Sequence, residues 1–184
     1  MDWTQRFDRP RREEVAPPAV GHSPARDAGM KVRLQRILVP TDFSDTSEMA
    51  LKYAIALVEQ FGASLHLLHV VEAIVSGDTV AWQLGPREDV ERAIEATAWD
   101  DLRRLLAPEE LTRLRGQLAL EWGTPFVEIV RYAKAHDISL IAMGTHGRSG
   151  IQHLLIGSVA ENVVRSSPCP VLTVRHPEHD FVLP

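Results

Sequence analysis

The stretch "LQRILVPTDFSDTSEMALKYAIALVEQFGASLHLLHVV", residues 34–71, decides the fold. It opens with LQRILVP, a short apolar run closed by Pro40, as a strand buried on both faces would be. SDTSEMALKYAIALVEQFG then sets apolar residues at helical spacing and stops at Gly62. ASLHLLHVV is a second apolar run, so the chain has made one βαβ unit.

The alternation continues to the C-terminal side. EDVERAIEATAWDDLRRLLA (88–107) predicts an amphipathic helix that ends before Pro108, and GQLALEW (116–122) a third strand broken by Gly123. Thr124 and Pro125 start the helix PFVEIVRYAKAH (125–136), because proline suits the first helical position. ISLIAMG (138–144) is a fourth strand, SVAENVVRSS (158–167) a fourth helix and CPVLTVR (169–175) a fifth strand. Strands and helices in strict alternation imply a parallel sheet covered on both faces, an α/β architecture. Such sheets bind ligands beyond the carboxyl ends of their strands, where the strand order reverses. The segments following the first and fourth strands are therefore the candidates for a site.

Composition narrows the function classes. A chain of 184 residues that is 45% hydrophobic can bury one full core. Residues 1–33 carry seven Lys or Arg against five Asp or Glu, so a total charge of −5 leaves −7 on the rest. An acidic body argues against a nucleic-acid groove, whose affinity rests on basic contacts to phosphate. No stretch approaches the ~18 apolar residues of a membrane helix, and no apolar signal segment opens the chain. One cysteine, Cys169, excludes an internal disulfide and fits a reducing compartment, so the expected location is cytoplasmic. Proline, glycine and mixed charge without apolar periodicity mark residues 1–33 as a disordered extension. Residues 177–184 read as a short tail, and Met30 is an alternative translation start.

Strand one runs into VPTDFS, with Asp42 two residues past Pro40, and strand four runs into AMGTHGRSG. Gly144 and Gly147 allow a positive φ or a close approach of backbone to a ligand, and bare backbone can aim N–H groups at phosphate oxygens. Gly157 and Ser158 lead into a helix whose N-terminus favours anions. A purely structural reading is equally open at this point, since Ser158 and Glu161 have the spacing of a capping box. The loop lacks the P-loop spacing and its lysine, and it is not the GxGxxG of a first Rossmann strand.

The spacing Gly144, Gly147, Gly157, Ser158, followed by ENVVRSSPCPVLTVR, resembles the ATP-binding signature of the universal stress proteins. ILVPTDFSDTSEMAL is similar to that family's opening strand and helix, and the resemblance spans residues 34–176. It implies a Rossmann-like three-layer sandwich with a five-stranded parallel sheet of order 3-2-1-4-5. It also implies ATP as the ligand, with Pro40, Thr41 and Asp42 against the nucleoside and Val70 beside adenine. Met143, Gly144, Gly147, Gly157 and Ser158 would then surround the ribose and phosphates, and Arg148 is the cation within the loop. Asp42 is the candidate carboxylate for a Mg²⁺ carried by the phosphates. The family's fifth strand pairs across a dimer axis, which implies a homodimer here.

The motifs hold no lysine or second acid suited to phosphoryl transfer, so a nucleotide-dependent regulator or sensor of the stress response is expected, with at most slow hydrolysis. A slow ATPase or phosphotransferase and a nucleotide-independent interaction module are the alternatives. His146 and His153 have no partners at metal-site spacing. His66 and His69, three apart on a strand, are expected on opposite faces. Cys169 between two prolines reads as packing, and the loop around Trp82 as surface.

Overall fold

A computed structural model of the chain describes residues 33–72, 86–145 and 157–175. Five parallel strands form one sheet: β1 (Arg36–Thr41), β2 (Ser64–Val71), β3 (Gln117–Trp122), β4 (Leu140–Gly144) and β5 (Val171–Val174). Their order is β3-β2-β1-β4-β5, as the resemblance implied. The helices are α1 (Asp45–Phe61), α2 (Arg87–Arg104), α3 (Pro108–Arg113), α4 (Pro125–Ala135) and α5 (Ser158–Ser166).

Period-two alternation along the strands sorts the core into two layers. Ile37, Val39, Leu65, Leu67, Leu140 and Ala142 point to one face and meet Leu51, Ala54 and Val58 of α1 and Leu102 of α2. Leu38, Leu68, Ile141 and Met143 point to the other and meet Ile129, Tyr132 and Ala133 of α4 and Ala160 and Val163 of α5. Each of the larger aliphatic side chains contributes about 1.5–3 kcal/mol by leaving water. The central strands β1 and β4 are almost wholly buried, which is why they read as continuous apolar runs.

Local signals set the helix ends. Ser44 caps α1, its hydroxyl accepting from the Ser47 N–H, and Gly62 closes the helix in the left-handed region at φ 65. The helix after β2 stops at Arg104, and Pro108 opens a further turn of helix, α3, which the sequence reading left out. Proline suits a first helical position as well as it blocks a continuing helix. Glu110 completes that start by accepting from the Ala107 N–H at 3.3 Å.

Candidate functional site

The sheet opens between β1 and β4. Their ladder is confined to Ile37↔Leu140 and Leu38↔Ile141, whereas β1 stays paired with β2 through Thr41↔His69 and β4 with β5 through Gly144↔Val174. The cause is a single residue type. Ser64 donates to the Gln35 carbonyl, so Gln35 faces β2 and, by alternation, Arg36, Leu38 and Pro40 face β4. Ile141 donates to Pro170 on the β5 side, so Leu140 and Ala142 face β1. The next bond of the β1–β4 ladder would need an N–H from Pro40, which has none. The carboxyl ends of β1 and β4 are thereby left without a shared ladder at the reversal of strand order, the place where an open α/β sheet forms its crevice.

Three chain segments gather at its mouth. The first is the turn from β1 into α1. Thr41 is buried, with Oγ1 accepting from the Phe43 N–H at 3.0 Å and lying 3.1 Å from Ser47 Oγ. Asp42 Oδ1 accepts from the Ser44 N–H at 3.2 Å and the Ser44 hydroxyl at 2.6 Å. Ser44 Oγ also lies 3.0 Å from Thr46 Oγ1, so Asp42 heads a row of hydroxyls along the start of α1. This turn carries three of the expected residues, Pro40, Thr41 and Asp42.

The second segment is the end of β4. Met143 is buried in the layer under α4 and α5, the same layer against which Val70, at the end of β2, packs. Gly144 has no left-handed φ. Its bareness answers to α1 instead, because a Cβ there would stand 2.9 Å from Thr46 Oγ1.

The third is the start of α5. Gly157 is its N-cap and donates its N–H to the Thr145 carbonyl at 2.6 Å, while Thr145 donates to Val174 on β5 at 2.9 Å. The capping box expected from Ser158 and Glu161 is therefore not formed, because the cap position falls one residue earlier, on a glycine. Ser158 is the first helical residue, is exposed, and follows a cap position without a side chain. A helix N-terminus exposes its first N–H groups and partial positive charge, and here the cap residue supplies no oxygen to them. Gly147 and Arg148 lie outside the described residues, as do His146, His153, Trp82, and the expected extension and tail.

The sequence reading missed Ser44, Thr46 and Thr145, which tie the expected residues together. For Ser44 the signal was present in SDTSE, a serine just ahead of a helical run. Thr46 and Thr145 act through contacts between elements distant in sequence, which no local pattern records.

The donor set suits Mg²⁺ only as the companion of a phosphate. Hard oxygens are at hand in Asp42, Ser44 and Thr46, but among the described residues no three His, Cys, Asp or Glu cluster as a protein-only metal site. Also among the described residues, no helix is long and apolar enough to cross a membrane.

The histidines of β2 part as expected. His66 lies under α4, with Nδ1 3.0 Å from the Tyr132 hydroxyl, and Tyr132 stacks on His136 at 4.0 Å between centroids. Burial first, then the neighbouring His136 and Arg36, lower the His66 pKa to about 4. Burial, then Glu121, raise that of Tyr132. His69 turns to the other face, against Phe43. Cys169 is half-buried, and the Ser167 hydroxyl accepts its N–H and donates to its carbonyl, so its setting is a turn.

The model of the universal stress protein family matches residues 33–175. Universal stress protein MJ0531 of Methanocaldococcus jannaschii is 32% identical over 146 residues, covering 79% of this chain and 85% of that protein. The solved structure of MJ0577 from the same organism is 30% identical and superposes with a TM-score of 0.66, over 79% of this chain and 98% of its own. A universal stress protein solved in complex with cAMP, 24% identical, shares the fold with a TM-score of 0.55, over 78% of this chain and 98% of its own. Sheet order, the opening beside Pro40 and these likenesses together place the chain in one family: it belongs to the universal stress proteins.

Proposed function

We propose that this chain binds an adenine nucleotide, ATP with Mg²⁺, in the crevice between β1 and β4 and acts as a nucleotide-dependent regulator of the stress response. The observation that carries the reading is the opening of the ladder at Pro40 beside an α5 N-terminus whose cap residue has no side chain. The nucleoside lies against Pro40, Thr41, Asp42 and Val70. The phosphates run toward Gly144, Gly147, Arg148, Gly157 and Ser158. A family relative held with cAMP supports an adenine nucleotide as the ligand class.

The chain's own residues bind and orient. The Ser44 and Thr46 hydroxyls and the Asp42 carboxylate would hold a metal that the phosphates bring, and the α5 dipole would offset the phosphate charge. Mg²⁺ would supply charge neutralisation at the phosphates, with Asp42 as its protein ligand. Pairing of two copies along β5, the edge of the sheet, completes the proposed assembly.

Calorimetric titration of ATP with Mg²⁺ into the full chain tests the reading. Micromolar binding, worth about −8 kcal/mol, is expected for the wild type. Ser158→Asp should weaken it by about tenfold or more, because a carboxylate at the first helical position suits the helix and repels phosphate. Absence of binding by the wild type would overturn the proposal.

A further inference from the structure

β2 ends beside the turn that leads from β1 into α1, and His69 spans the gap. Its Nδ1 lies 2.8 Å from the Thr41 carbonyl oxygen. A carbonyl only accepts, so Nδ1 is the nitrogen that bears hydrogen. The same ring meets Phe43 with 4.5 Å between centroids and 39° between planes.

Phe43 is the strained residue of that turn. Its φ of 63 lies in the left-handed region, where a bulky side chain is rare and persists only when its surroundings over-determine it. Thr41 Oγ1 fixes the Phe43 N–H from within the turn, and Asp42 and Ser44 fix each other just beyond. The His69 ring restrains the same turn from a different strand. Of the residues expected to meet the nucleotide, Thr41 is itself one of the His69 contacts and Asp42 stands in the chain between Thr41 and Phe43.

We propose that His69 is a positioning residue of the nucleotide site: its Nδ1–H bond to Thr41 and its ring against Phe43 hold the β1–α1 turn in the shape that presents Asp42 to the ligand. The inference rests on the nucleotide reading above. Asparagine places an amide donor near the position of Nδ1, glutamine places one near Nε2, and leucine has none. Three substitutions thereby separate donation from bulk.

ATP with Mg²⁺ is titrated into the full chain as wild type, His69→Asn, His69→Gln and His69→Leu, each checked for a cooperative melt. Expected are binding within about threefold of wild type for His69→Asn and a loss of about tenfold for His69→Leu, the scale of one hydrogen bond. Nitrogen-15 spectra of the wild-type imidazole should show hydrogen on Nδ1. Wild-type affinity in a folded His69→Leu, equal weakening by asparagine and leucine, or a neutral ring with hydrogen only on Nε2 would each overturn the inference. Should His69→Leu not fold, glutamine decides, and binding equal to that of asparagine overturns it. A wild type that binds no nucleotide overturns the proposed function and this inference with it. Binding by the wild type that His69→Leu leaves unchanged overturns this inference alone.

Discussion

Gly144 and Thr46 touch: a Cβ on Gly144 would lie 2.9 Å from Thr46 Oγ1 and 3.0 Å from both its Cβ and its carbonyl carbon. The end of β4 and the first turn of α1 can be this close because position 144 has no side chain. Gly144→Ala is therefore expected to destabilise the fold by about 1–3 kcal/mol, as overpacking does. Urea unfolding would read the loss. Adding Thr46→Gly should recover only part of it, since one of the crowded atoms is backbone.

Ser44 serves two neighbours at once, capping α1 and holding Asp42 Oδ1. Ser44→Ala should cost about 1 kcal/mol of stability through the lost cap. It should also weaken nucleotide binding in the presence of Mg²⁺ more than in its absence, because the carboxylate loses the partner that orients it. Paired titrations with and without the metal would show the difference.

Acid should weaken the fold through His66. Its folded pKa of about 4 lies below the ordinary 6.5, so the folded state binds fewer protons than the unfolded state between those values. The contribution is fully present above about pH 6.5 and is lost as the pH falls toward 4. Unfolding midpoints across that window should fall more steeply for the wild type than for His66→Asn. Parallel curves would count against the assignment.

β5 gives a direct test of assembly. Pro170 and Val174 accept from Ile141 and Thr145, so the alternate residues Val171 and Thr173 turn their backbone groups away from β4. Thr173→Pro removes an outward N–H and leaves the β4 ladder intact. Light scattering is expected to give a dimer for the wild type and a monomer for the variant. A monomeric wild type would remove the proposed pairing.

Most of the architecture was legible because strand and helix signals agreed with the packing. LQRILVP, ASLHLLHVV and ISLIAMG became β1, β2 and β4, trimmed at their starts, with β1 running one residue past Pro40 to Thr41, and Gly62 ended α1 as expected. The short α3 is not legible because a proline both stops one helix and opens the next, and Pro108 does the second. The site was legible in its residues and less so in their reasons. Spacing cannot tell whether a glycine is bare for a ligand or for another helix, and at Gly144 the contact is with Thr46. Nor can it separate a cap from the first helical residue, which displaced Ser158 by one position.

Pro40 has a consequence for how fast a ligand could enter. Because an imino nitrogen ends the ladder, the break in the β1–β4 hydrogen bonding is a covalent property of the chain and does not wait on a ligand. An arriving molecule displaces solvent and breaks no bond of the sheet. Association at this end of the sheet should therefore need no unpairing of β1 from β4, so that differences in affinity among ligands appear mainly in how long each one stays.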